Sequence, residues 1–323
     1  MKMANNIFFA LAAALLMVGC AKVEPEYQKA EDLDITFQVG KYAAGTKANP
    51  EGYAEYTGSS FGAIAVFTPG SFASTKSSAV TYMDRVEISK QSNVWKSTTT
   101  YRWPKAGKLS FASFSPYTAK SNASVDDENN IVFTDYTVGG DDLMYSTPVY
   151  DKTANEHQYY NDGVPTLFHH ALSLVSFEFK YESPEGTEIV LNSASISSVA
   201  KTGSYTGGDA VWTAKSGAET AEYDIKAKDG NYFYVMPQNL DDVMLNINAE
   251  MQFHLTATDG SDVTVKTPIV VSVPLKTADL ARWESNKQIH YTISISGDAA
   301  LIKFCGSATD WTNVDLSEHK IVI

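Results

Sequence analysis

The sequence predicts an all-β protein of two β-sandwich domains in tandem, and three observations carry that expectation. Phe, Tyr and Trp make up 12 % of the chain, with 18 Tyr and 15 Phe, and aromatic and branched side chains fit the half-buried, pleated surface of a strand. Short runs of alternating apolar and polar residues recur, with turn residues roughly every 8–12 positions, which is the spacing of sandwich strands. Beyond the first twenty residues no apolar run of helical period and useful length is present, which argues against a helical fold. A chain of 323 residues fills about two domains of roughly 100–200 residues each. With 44 % hydrophobic and 20 % charged residues it is not a disordered acidic tail. The net charge of −13 argues against a nucleic-acid partner, because binding phosphates requires a basic face.

The first twenty residues read MKMANNIFFALAAALLMVGC. Lys2 is followed by an apolar run from Ile7 to Val18, too short for a comfortable transmembrane helix and suited to an export signal. Its end, Leu16-Met17-Val18-Gly19-Cys20, resembles the lipobox of bacterial lipoproteins. That resemblance implies cleavage before Cys20, diacylation of its thiol and acylation of the new amino group, giving a durable bilayer anchor. Ala21 does not resemble the aspartate linked with inner-membrane retention, so the outer membrane is the expected destination. With Cys20 lipidated only Cys305 is left, and no intramolecular disulfide is expected.

Residues 20–32 read as a polar tether. Leu33, Ile35, Phe37 and Val39 then share one face of an expected strand, Leu33–Val39. Gly40 to Tyr56 has no apolar period and reads as a long exposed loop. Strands are expected at Phe61–Phe67, Thr81–Ser89, Lys108–Phe114 and Ile131–Phe133, with turns at Ser121–Asn130 and Gly139–Asp142. A second series covers Thr166–Tyr181, Glu188–Val199, Ala210–Thr213, Tyr232–Met236, Val243–Ala257, Asp262–Val273, Ile289–Ser296 and Ala300–Phe304. Thr277–Trp283 reads as a short helix capped by Thr277. The polar span Asp151–Gly163 is the expected boundary. The division is therefore 1–19 signal, 20–32 tether, 33–160 first domain and 161–323 second domain.

No phosphate loop, zinc helix or nucleophile elbow is present, and no catalytic residue, metal or cofactor is expected. His169 and His170 are adjacent in an expected strand and point to opposite faces, which suits one metal poorly. Asp126-Asp127-Glu128 and Asp141-Asp142 lack the regular spacing of a calcium loop and read as solvated turns. Trp95, Trp103, Trp212, Trp283 and Trp311, about one per strand region, read mainly as core.

Several segments resemble the fimbrillin family, the subunits of type V pili with their tip and anchor components. Tyr101-Arg102-Trp103-Pro104 with Leu109 to Tyr117 is similar to the family's "WP…F.AysP" pattern, and Asp142-Leu143-Met144-Tyr145 to its "dLm.a". Phe168-His169-His170-Ala171-Leu172-Ser173-Leu174-Val175 resembles "F.HalskV", and Tyr291 to Ile295 with Asp310-Trp311 resembles the closing "Y.Y.i…W". The resemblance implies two transthyretin-like sandwiches, a non-enzymatic role in adhesion, and assembly with other fimbrial subunits. In that assembly a protease cuts the loop after the first strand, the strand leaves, and a neighbour's strand fills the groove.

Here the implied displaced strand carries Leu33, Ile35, Phe37 and Val39, and the implied cut falls between Lys47 and Ala48 in Thr46-Lys47-Ala48. The family commonly has arginine there; lysine keeps the charge but not the bidentate fork that an arginine-specific protease reads. Cut, the subunit joins a fibre; uncut, it stays held by its lipid as an anchor, and Lys47 is a solvated loop residue. The implied donor strand lies among Val314, Leu316, Ile321 and Ile323, which could equally complete the chain's own last sheet. The gap before the closing tyrosine strand, Ser285-Asn286-Lys287, lacks the family's glycine. Implied partners are other subunits, the outer membrane, and a host or bacterial surface ligand. A glycan-binding surface lipoprotein that does not polymerise is the alternative reading.

Overall fold

The structure is a computed structural model describing residues 33–40, 54, 56–154, 163–226, 232–296 and 302–311. It is all-β: among these residues there are twenty-one strands, one short α-helix (Phe72–Thr75) and two 3-10 turns.

In the first half the strands are β1 (Phe37–Val39), β2 (Ser60–Thr68), β3 (Val80–Gln91), β4 (Val94–Ser97), β5 (Lys108–Ser115), β6 (Ala123–Val125), β7 (Ile131–Thr137), β8 (Met144–Ser146), β9 (Val149–Lys152), β10 (Val164–Thr166) and β11 (Phe168–His170). Nine of them form one sheet in the order β10-β1-β4-β3-β2-β5-β8-β11, with β9 also paired to β5. Only Leu167 separates β10 at one end of this path from β11 at the other, so the sheet rolls back on itself around an aromatic core. Phe61, Trp103, Phe111 and Phe168 are buried there.

The second half contains β12 (Ser173–Glu182), β13 (Thr187–Ala200), β14 (Thr202–Thr206), β15 (Val211–Ala214), β16 (Thr220–Asp224), β17 (Tyr232–Val235), β18 (Met244–Thr256), β19 (Asp262–Pro274), β20 (Lys287–Ser296) and β21 (Ile302–Asp310). Sheets β17-β12-β20-β21 and β16-β13-β18-β19 enclose a core that includes Leu245, Ile247, Trp283, Tyr291 and Ile293. Val243, Leu245, Ile247 and Ala249, all buried, explain the first part of the alternation over Val243–Ala257, whereas Leu255 near its end is exposed. Pro268 and Pro274 lie six residues apart on edge strand β19, opposite Glu250 and Met244. They share one phase, so their missing N–H groups fall on the open side and blunt that edge.

A fourth sheet, β15-β14-β7-β6, takes strands from both halves. The β14–β15 hairpin lies along β7 with Tyr205 opposite Phe133, and Gly207 N–H donates to Ile131 O at 2.8 Å. Tyr205, Phe133, Phe114 and Leu172 share the core beneath it. The hairpin is thus an arm by which the second half clasps the outer face of the first.

Several expectations need correction. Leu33–Val39 is not one ladder: only Phe37–Val39 is strand, because the segment changes partners at Thr36. The loop Gly40 to Tyr56 is not exposed throughout, since Ala54 is buried and bridges Phe168. Thr166–Tyr181 divides into the end of β10, β11 and β12, as the chain crosses between sheets. Residues 164–170, beyond the expected boundary at 160/161, complete the first sheet. Thr277–Trp283 is not a helix. Thr277 Oγ1 accepts the N–H of Leu280 at 3.0 Å, as a cap would, but Leu240 and Trp283 then pair with Ala281 and Gln238 and draw the chain out. Ser121–Asn130 contains a short strand, β6, too brief to show an alternation.

Candidate functional site

Residues 33–40 are held from three directions. Ile35 N–H donates to Tyr101 O at 2.8 Å and Trp103 N–H to Leu33 O at 3.1 Å, with Asp34 bridged to Arg102 between them. At Thr36 the partner changes: its carbonyl accepts the N–H of Val164 at 2.8 Å. From there β1 runs parallel to β10, Phe37 beside Val164 and Val39 beside Thr166. On its other side Phe37 faces Trp95 of β4. The strand is therefore interior to the sheet, and its departure would leave main-chain donors and acceptors bare on both flanks.

Alternation places Leu33, Ile35, Phe37 and Val39 against one core. Ile35 and Phe37 are each 2 % exposed, while Leu33 and Val39 are partly buried. The ring of Phe37 meets Phe61 and Phe111 edge-on at 5.7 and 5.9 Å, a preferred aromatic geometry. Tyr56, just past the loop, stacks on Phe168 at 4.8 Å, and Ala54 N–H donates to Phe168 O at 2.7 Å. Chemically the arrangement is a slot for one extended strand, with main-chain bonds along both walls and two deep apolar pockets.

Gly163 closes the slot at Thr36. Its φ is +102°, and a Cβ there would stand 2.6 Å from the carbonyl carbon and oxygen of Thr36. Gly163→Ala is expected to lower stability by about 1–3 kcal/mol through backbone strain alone, with more from the clash. A drop in the urea midpoint together with faster exchange of the Val164 amide would show it; an unchanged Val164 amide would refute the contact.

Two neighbours of β1 were missed at the level of sequence. Strand β4 follows a two-residue turn at Ser92 and Asn93, both of positive φ, which is the conformation of a tight type I′ hairpin; Asn93 was the available signal. Strand β10 contains Pro165, and proline speaks against a strand. Val164 and Thr166 face β1 with their main-chain groups, so the proline nitrogen points outward, where an edge tolerates it.

Cys20, Lys47, Ala48, Val314, Leu316, Ile321 and Ile323 lie outside the described residues. Lys47 and Ala48 fall between Gly40, which ends the first segment, and Ala54, where the chain is described again.

The remaining candidates are distributed elsewhere. His169 is half-buried, stacked on Tyr145 at 5.2 Å and 3.0 Å from Thr147 Oγ1. His170 is buried against Asp142. Asp126 Oδ1 accepts the N–H groups of Glu128 and Asn130, and Glu128 pairs with Lys76. Among the described residues no group of three or more His, Cys, Asp and Glu is placed to hold a metal. Trp103, Trp283 and Trp311 are buried, and Trp95 and Trp212 are packed half-buried against cores.

The sequence profile of a family described as Fimbrillin-like matches residues 56–311. No curated protein sequence matches the chain. Among solved structures, a fimbrial protein from Bacteroides vulgatus is similar at a TM-score of 0.58 and 18 % identity, over 78 % of this chain and 93 % of that one. A candidate cell adhesion protein from Bacteroides uniformis is similar at 0.53 and 16 %, over 86 % and 97 %. Another, from Parabacteroides distasonis, is similar at 0.50 and 12 %, over 90 % and 99 %. At these identities the likeness is one of fold.

Proposed function

The chain belongs to the fimbrillin-like family, and from that premise we propose that it is a structural subunit of a cell-surface fimbria serving adhesion, assembled by strand exchange. In this reading it is exported as a lipoprotein and held in the outer membrane through acylated Cys20. A cut between Lys47 and Ala48 severs the lipid and the first strand from the body. A strand from the neighbouring subunit, drawn from residues 314–323, then enters the vacated slot.

The observation that carries the reading is the position of residues 33–40. The segment is interior to a sheet and fills two apolar pockets with Ile35 and Phe37, yet it is joined to the body on its C-terminal side only through the stretch that contains Lys47. Strand addition draws affinity from main-chain bonds and register from alternate pockets. Val314/Leu316 and Ile321/Ile323 offer the same two-residue spacing as Ile35/Phe37.

Mild trypsin treatment, followed by mass measurement and electron microscopy, tests this. An early product beginning at Ala48, accompanied by fibres, is expected. A resistant Lys47, with monomers throughout, would overturn the polymerising reading.

A further inference from the structure

Three of the segments that carry the family resemblance meet at one point. His170 is 1 % exposed, and its Nδ1 lies 2.8 Å from Asp142 Oδ2. A carboxylate only accepts, so Nδ1 carries the proton and the imidazole plane is set by Asp142. Trp311 lies flat on that imidazole, ring centres 3.4 Å apart and planes within 4°, with Tyr234 stacked on it as well at 5.7 Å. Asn286 ties the two chain segments together. Its Oδ1 accepts the N–H of His170 at 3.3 Å, and its main-chain oxygen accepts the N–H of Trp311 at 3.0 Å. Asn286 has φ +60°, a conformation that asparagine adopts more readily than most residues.

The consequence concerns the segment 312–323. Strand β21 ends at Asp310 and Trp311 follows at once, fastened not to its own sandwich alone but to β11 of the first half. We infer that Trp311, His170 and Asp142 form a latch that fixes the root of the 312–323 segment at the junction of the two halves, so that this segment is presented to a second copy of the chain from a set position. Trp311 and His170 are positioning residues: they act by holding the root. The inference rests on the strand-exchange reading, because only there does the segment act as a donor. Assembly then scales with the fraction of molecules whose root is docked.

The test uses the full chain cut after Lys47, with a synthetic peptide of residues 312–323 as probe of the slot. Trp311→Ala and His170→Ala are expected to assemble about threefold to tenfold more slowly, the range set by loss of one aromatic stack. Trp311→Phe, which keeps a stacking face, should restore most of the rate. Peptide affinity for the slot should be the same in every variant. Wild-type assembly by Trp311→Ala, with the peptide still bound, would overturn the latch and leave strand exchange standing. A fall in peptide affinity parallel to the fall in rate would make the effect merely structural and also overturn it. Failure of the peptide to bind cut wild-type protein would overturn the strand-exchange reading and the latch with it.

Discussion

Phe37→Ala is expected to loosen the first strand by about 3–5 kcal/mol, the range for deleting a buried phenylalanine ring. The ring is 2 % exposed and wedged between Phe61 and Phe111, two side chains anchored in strands of their own, so the pocket cannot collapse around an alanine. The main-chain bonds of the segment remain, and the loss falls on occupancy of the slot. In trans the effect becomes a binding constant. A peptide of residues 33–39 added to protein cut after Lys47 should bind, and its Phe37→Ala form should bind about 10²- to 4 × 10³-fold more weakly. In the uncut chain the amides of Ile35 and Val164, bonded across the segment's two flanks, should exchange faster while those of the second sandwich do not. Equal binding by the two peptides would mean that the slot does not read the pocket at Phe37, and strand exchange would lose its source of register.

How far the sequence revealed this fold follows from the length of each element. Strand β18 pairs along its whole length with β19 and most of it with β13, so thirteen residues keep one phase and the alternation is plain. Strands β8, β10 and β11 are three residues each; no period can be counted in three residues, and their placement depends on tertiary pairing. The β14–β15 arm is half legible: the expected strand Ala210–Thr213 lies one residue from β15 (Val211–Ala214), whereas no strand is expected at Thr202–Thr206. Gly203 lowers strand propensity, yet a Cβ there would lie 2.7 Å from Met236 Sδ and Thr213 O, so the close packing of the clasp demands the residue that conceals it.

The slot divides in the same way. The face shared by Leu33, Ile35, Phe37 and Val39 is written in the alternation, because one side of that segment is core. Its walls are not, because they come from residues 95, 101–103 and 164–166, brought together only when the sheet rolls over. The same holds for His170, Asp142 and Trp311. Each was singled out as part of a separate segment, and no local pattern states that they touch.

Alkali should separate the two halves before the second sandwich melts. Tyr205 and Tyr136 lie in the core shared by the halves and Tyr291 in the second core. Burial pushes the Tyr205 phenol far above its usual range, with Tyr145 adding to the effect. Tyr136 is pushed up to about 12 by burial and by the charges of Asp141 and Asp142, and burial raises Tyr291 despite the indole N–H of Trp283 beside it. Each phenol stays protonated in the folded protein above the pH near 10 at which the unfolded chain releases it. The folded state then holds more protons than the unfolded one, so stability is fully present below about pH 10 and falls as pH rises through the folded values. Each such group costs about 1.4 kcal/mol per pH unit. Tyr205 and Tyr136 together weaken the shared core by about 2.7 kcal/mol per unit and Tyr291 weakens the second core by about half as much. The partly buried Tyr234 and Tyr223, both raised by burial, add less to the shared and second cores respectively. Tyrosinate absorbance followed against pH should therefore show a cooperative step as the shared core opens, then a later one. Tyr205→Phe removes one proton from the first step and should shift that step upward while leaving the last in place. A single step near pH 10 with the fold intact, or a Tyr205→Phe curve identical to wild type, would show that the clasp does not depend on a neutral phenol.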